Sequence, residues 1–386
     1  MALTRRIPLA WLQLTAEKLR LLAAVAGIAF AVMLMLMQLG FRDALVESAT
    51  LLHERMDGEV VLINPLYEYL LVTRSFPEAR LSQSLGLDGV ASVTPIYFTQ
   101  AVWKNPDTGF EHQVEIVGVA PGASTLLIPE VVRDLPKIRL PDVVLADERS
   151  RQAQFGPIAE WFARGPVVSE VNGRRVTVGG TFALGTGFGV TGRLITSDAN
   201  FLRIVPTRRA HMIDIGLIKL KPGVAPQQVR DRLAQALPAD VRVLTREQFA
   251  ANERNYWLTN SPVGFIFNLG TLMGLIVGAV IVYQILYSDV SDHLSEYATL
   301  KAMGFSDLRL FLVVIRQALI LTVLGFPPGL LIAAALYAIT FRATMLPIEM
   351  TTVRVLSVLA MTVGMCSISA MFALRKLRSA DPAEIF

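Results

Sequence analysis

The sequence predicts an α-helical membrane protein of four spans, with one large α+β domain set between the first span and the second. Three observations lead there. Hydrophobic residues make up 53% of the 386 and charged ones only 18%, against about a quarter charged in an ordinary soluble domain. Four apolar runs reach the roughly 20 residues needed to cross a bilayer. Between the first two runs, the sequence switches to alternating strand patterns broken by Gly, Pro and Asn turns.

Residues 1–20 hold "TRRIPLAWLQLTAEKLR", an interfacial helix with Trp11 toward lipid and Lys18 and Arg20 toward water. The first span is 21–40. Its apolar stretch is longer than a signal-peptide core and begins too far into the chain, which predicts a retained helix. The helical pattern runs on as a stalk over 41–57 and stops at Asp57-Gly58.

The α+β domain occupies 58–245. "VASVTPIYFTQAVW" and "EHQVEIVGVAPG" alternate as two strands around the turn Asn105-Pro106-Asp107-Thr108-Gly109. "IDIGLIKLKPG", "APQQVRDRLAQAL" and "DVRVLTREQ" spell strand, helix, strand. The glycine-rich stretch 171–197 predicts a small β subdomain. A second stalk helix covers 246–261, with Tyr256 and Trp257 at interface height. The remaining spans are 262–287, 308–339 and 353–374. A short helix at 288–307 and a loop at 340–352 connect them, and 375–386 is a tail.

Lys and Arg near the span ends set the orientation. Arg5, Arg6, Lys18 and Arg20 precede the first span, and Arg375, Lys376 and Arg378 follow the fourth. Lys301 and Arg309 lie between the second and third, whereas the other short loop holds Arg342 alone. Both termini and 288–307 are therefore expected in the cytoplasm, and the large domain in the periplasm of a bacterial inner-membrane protein.

Several classes are excluded. A single cysteine, Cys366, permits no internal disulfide. The basic residues are scattered or flank apolar runs, which excludes nucleic acid as a partner. No Walker A loop, H-E-x-x-H or G-x-S-x-G motif occurs. His53, His112, His211 and His293 are far apart in the chain. No catalytic residue, metal site or cofactor is expected, and any energy must come from another chain. The absence of acidic residues at mid-span argues against ion-coupled transport.

Gly270, Gly274 and Gly278 repeat every fourth residue on one face of the second span. Such a face lets helix backbones approach closely, either within the chain or across a dimer seam. In the third span, "GFPPG" (Gly325 to Gly329) removes two backbone donors, which predicts a hinge or a fixed kink. Arg316 and Gln317 lie two turns inside that span, with Arg316 an interfacial anchor.

The stretch "SDHLSEYATLKAMGFS" stands between two spans. On a helix, Asp292, Ser295, Glu296 and Thr299 share a polar face, and Gly304 is a C-terminal stop. Met303 and Phe305 would then be apolar knobs at the helix end. They suit either docking to a soluble motor or a plain interfacial re-entry loop.

One span, a large outer domain, three further spans and this stretch resemble the FtsX/MacB-like permeases of ABC transporters, with a MacB-like periplasmic core. Glu296, Ala298, Thr299, Lys301, Ala302, Met303, Gly304 and Phe305 match the family's coupling-helix pattern, although Tyr297 replaces the commoner Ile. "DPAE" near the end, with Asp381 and Glu384, is similar to the family's ending. The nearest likeness is the DevC type, which has no fused ATPase. The resemblance implies a homodimer working with a separate ATPase that binds ATP and Mg, an HlyD-type adaptor and a TolC-like outer-membrane channel. It implies mechanotransmission for export of a lipid or other hydrophobic compound. Glu296, Lys301, Met303, Gly304 and Phe305 would meet the ATPase, supported by Asp381 and Glu384. Two alternatives are a mechanotransmitter acting on a protein partner, in lipoprotein release or cell-wall hydrolase control, and a membrane sensor.

Overall fold

A helix of 37 residues, α1 (Lys18–Glu54), contains the first apolar run. It continues without a break from the first apolar run into the start of the α+β domain. The computed structural model describes residues 11, 15, 17–185, 187, 189–296, 299, 303 and 306–379. It divides into two units: a helical one (1–43, 264–340 and 348–386) and an α+β one (44–263 and 341–347).

The α+β unit has strands β1 (Val60–Ile63), β2 (Phe76–Pro77), β3 (Val90–Lys104), β4 (Glu111–Val119), β5 (Val143–Asp147), β6 (Val167–Val171), β7 (Arg174–Phe182), β8 (Gly192–Ser197), β9 (Met212–Ile213), β10 (Ile215–Leu220) and β11 (Arg242–Thr245). Its helices are α2 (Ala79–Ser84), α3 (Pro129–Asp134), α4 (Gln152–Phe155), α5 (Ile158–Arg164), α6 (Asp198–Ile204), α7 (Pro226–Ala236) and α8 (Arg246–Asn255). Nine strands form one sheet in the order β11-β1-β10-β3-β4-β8-β5-β7-β6.

The fifteen-residue β3 serves two neighbourhoods. Its first half pairs with β10 (Ile96 with Ile215). Its far end, Trp103 and Lys104, returns to pair with Val171 and Glu170 of β6. The pairings β3-β4-β8-β5-β7-β6-β3 therefore close into a ring, to which the glycine-rich stretch 171–197 contributes β7, β8 and the end of β6. It shares its strands with the main sheet. Trp103 is fully buried and stacks on Phe155 at 4.8 Å between centroids, filling the ring where its strands converge. The turn before β4 closes as its residues demand. Gly109 takes φ +72°, and the Asn105 side chain accepts from the backbone amides of Asp107 and Thr108.

The second stalk is α-helical only through Asn255. A Thr245–Gln248 capping box starts α8, and a π-helical turn (Tyr256–Asn260) ends it before Ser261.

The helical unit comprises the first part of α1 with α9 (Pro262–Asp292), α10 (Asp307–Thr344) and α11 (Thr352–Ser379). All four helices are long and apolar enough to cross a membrane. Three span helices overrun the expected boundaries. Residues 288–292 continue the helix of the second span, the third span's helix reaches Thr344, and the fourth span's helix reaches Ser379. "GFPPG" does not break α10, which runs through Pro327 and Pro328. In a packed apolar bundle, neighbouring helices hold such a segment despite the two missing donors.

Candidate functional site

The chain between α9 and α10 is the candidate site, and it is rooted in a buried polar pair. Asp289 lies in the last turn of α9 and is 4% exposed, while Gln317 of α10 is fully buried. Gln317 Nε2 donates to Asp289 Oδ2 at 2.9 Å. Apolar neighbours surround the pair: Leu286 and Val290 on one helix, Val314, Ala318 and Leu321 on the other. A carboxylate left there without a donor would be costly. His293, the first residue past α9, turns back on Asp289, with Nδ1 3.7 Å from Oδ1. One turn on, Asp292 pairs with Arg20 of α1 at 2.8 Å, and Arg20 also holds Glu17 at 3.0 Å.

Beyond this root, residues 294–296 are helical. Thr299 Oγ1 donates to the Ser295 carbonyl at 2.8 Å, and the Met303 amide donates to the Thr299 carbonyl at 3.0 Å. Both bonds have the four-residue spacing of an α-helix. Glu296 is exposed, and Met303 is 64% exposed in a turn. Lys301, Gly304, Phe305, Asp381 and Glu384 lie outside the described residues. A single exposed apolar side chain is ordinary. Met303 gains interest from its place on a short connection rooted in a buried polar pair.

The glycine series faces α1. A Cβ on Gly270 would lie 2.5 Å from the Gln38 side chain, one on Gly274 3.1 Å from Met35, and one on Gly278 2.8 Å from Ala31 and 2.7 Å from Met365 of α11. Of the two uses the series allows, the structure occupies this face with close packing inside the chain. The glycines of "GFPPG" act alike on α10: Gly325 abuts Ile28, and Gly329 abuts the Ala29 backbone and Val32. Arg316 is exposed.

At the far end of the bundle lies a second buried charge. Arg354 of α11 is 6% exposed, and its Nη2 pairs with Asp43 of α1 at 2.8 Å. Its Nη1 donates to the Glu349 carbonyl and, at 3.4 Å, to the Tyr337 hydroxyl. Tyr337 donates in turn to the Leu36 carbonyl of α1. Each of the other three helices therefore meets α1 through polar pairs or glycine contacts. The glycine face is legible from its spacing, whereas the polar pairs join residues distant in sequence and leave no local pattern.

Two family models match the chain: MacB-like periplasmic core domain over residues 21–236, and FtsX-like permease C-terminal over residues 268–382. The first alone covers more than half of the 386 residues. The chain belongs to the FtsX/MacB-type ABC transporter permeases. It is a multi-pass membrane protein whose α+β unit is a MacB-like periplasmic core. Among solved structures, the periplasmic region of MacB from Actinobacillus actinomycetemcomitans is similar at 14% identity and a TM-score of 0.35, covering 52% of this chain and 94% of that one. The extracellular domain of the noncanonic ABC-type transporter YknZ from Gram-positive bacteria is similar at 12% identity and a TM-score of 0.31, covering 48% and 98%. No curated protein matches the chain. An FtsX/MacB-type permease implies an ABC ATPase as partner. Among the described residues, no group of three or more His, Cys, Asp or Glu is placed to hold a metal.

Proposed function

We propose that this chain is the membrane subunit through which a separate ABC ATPase drives export of a lipid or other hydrophobic compound. The ATPase binds and hydrolyses ATP and docks on residues 293–306, where Glu296 and Met303 are exposed. Lys301, Gly304, Phe305, Asp381 and Glu384 also contact the ATPase. Both termini and the docking segment face the cytoplasm, and the α+β unit faces the periplasm. Two copies of the chain work together, with an HlyD-type adaptor and a TolC-like channel beyond. The chain itself is not an enzyme.

The observation that carries this reading is the continuity and centrality of α1. It is one unbroken helix from Lys18 to Glu54. Within the helical unit it meets α9 through Gly274, α10 through Gly329 and α11 through Arg354. Such a rod suits mechanotransmission: motor closure moves the docking segment, α1 carries the movement, and the α+β unit changes shape. Cargo then need not pass between the spans.

A photo-reactive amino acid in place of Met303, in cells that also make the partner ATPase, tests the docking. The reading predicts a cross-link to the ATPase. Cross-links to lipid alone would contradict it.

A further inference from the structure

The root of the docking segment carries an inference that rests on, and deepens, the mechanotransmission reading. Asp289 and Gln317 form a hydrogen-bonded polar pair at one end of an otherwise apolar helical core. Buried polar pairs contribute little net stability over well-packed apolar residues, but they fix relative position, because any slip leaves a polar group unpaired. This pair fixes α9 against α10. Three residues on, Asp292 fixes α9 against α1 through Arg20. His293 stands between the pair and the docking segment, its amide donating to the Asp289 carbonyl at 3.2 Å. A pull on residues 293–306 is therefore delivered first to the residue that holds Asp289.

We propose that Asp289 and Gln317 are positioning residues. With Arg20 and Asp292 they clamp α1, α9 and α10 at the root of the docking segment, so that the three helices move as one body when the ATPase closes. The charged and titratable groups around the clamp are Arg20, Glu17, Asp292 and His293. Asp292 and Arg20 balance each other, which leaves Asp289 held chiefly by Gln317 and His293. A loosened clamp would let the docking segment follow the ATPase while α1 stays still. Motor and permease would remain assembled but uncoupled.

The experiment compares the full chain, co-expressed with its ATPase, as wild type, Asp289→Asn, and the double variant Asp289→Leu with Gln317→Leu. The double variant removes both polar groups together, so the core stays filled and no charge is stranded. Asp289→Asn keeps an acceptor for Gln317. Two quantities are read: co-purification of the ATPase, and the difference in amide hydrogen exchange of α8 between nucleotide-free and ATP-bound complexes. The clamp predicts that the double variant folds and retains the ATPase yet loses the ATP-dependent difference, and that Asp289→Asn keeps both. An undiminished difference in the double variant, or its loss in Asp289→Asn, overturns the clamp and leaves the docking proposal standing. A wild-type chain that holds no ATPase, or shows no ATP-dependent difference, overturns the transmission reading and the clamp with it.

Discussion

Tyr67 donates its hydroxyl to Glu253 Oε2 at 2.8 Å, joining residues 186 positions apart inside the α+β unit. The Leu70 amide reaches the same oxygen at 3.0 Å, and Trp257 Nε1 donates to the other at 3.0 Å. His53, near the end of α1, lies 3.6 Å from Glu253 Oε2 and packs on Phe249 of α8. The end of α1 and the second stalk are thus held together by one buried carboxylate. Tyr67→Phe removes one donor from that carboxylate and should destabilise this junction by about 2 kcal/mol. Amide exchange of α8 in the full-length protein reads the change.

The same carboxylate gives a pH dependence. Burial pushes the Glu253 carboxyl up from 4.5 to about 7, against the pull of its Tyr67, Trp257 and Leu70 donors. A carboxyl with a raised folded-state pKa binds its proton more tightly folded than unfolded. Its contribution is therefore most favourable below about pH 4.5 and is lost as pH rises toward 7, by about 3 kcal/mol in all. Glu253→Gln should flatten the dependence of α8 opening on pH across that window. An unchanged slope would show that another group sets it.

Close helix approach makes a steric prediction. Ala at Gly329 would place its Cβ 2.6 Å from the Ala29 carbonyl oxygen and 2.8 Å from Val32 Cβ, neither the end of a flexible side chain. Gly329→Ala should force α10 away from α1 and cost about 1–3 kcal/mol. Gly364→Ala is the control, because nothing lies within 4 Å of its Cβ position. Thermal denaturation in detergent should separate the two variants.

The sequence made some of this legible and hid the rest for physical reasons. The spans were readable because crossing a bilayer requires a long apolar run, and α9 carries one from Pro262. The glycine face was readable as a close-packing surface, but periodicity says nothing about which helix it meets. The ring closure through Trp103 and Val171, and the pairing of Asp289 with Gln317, come from long-range contacts that no local pattern encodes. A connecting helix over 288–307 would place the Asp289 carboxylate in solvent. The extra turn of α9 is what buries it.

Arg354 and Asp43 supply a further prediction. Asp43→Ala leaves Arg354 buried beside Tyr337 without its counter-charge and should destabilise the bundle by about 2 kcal/mol, a full buried-pair loss being discounted because Asp43 is partly exposed. Adding Arg354→Met to Asp43→Ala should recover much of that loss. The melting temperatures of the single and double variants test it.

Co-purification of the ATPase with wild-type chain and with Met303→Asp shows whether residues 293–306 dock an ABC ATPase. Met303 is 64% exposed, so the substitution leaves the fold intact. Docking through this segment gives a stable complex with wild type and its loss with Met303→Asp. Equal recovery of the ATPase with both chains, or with neither, would contradict it.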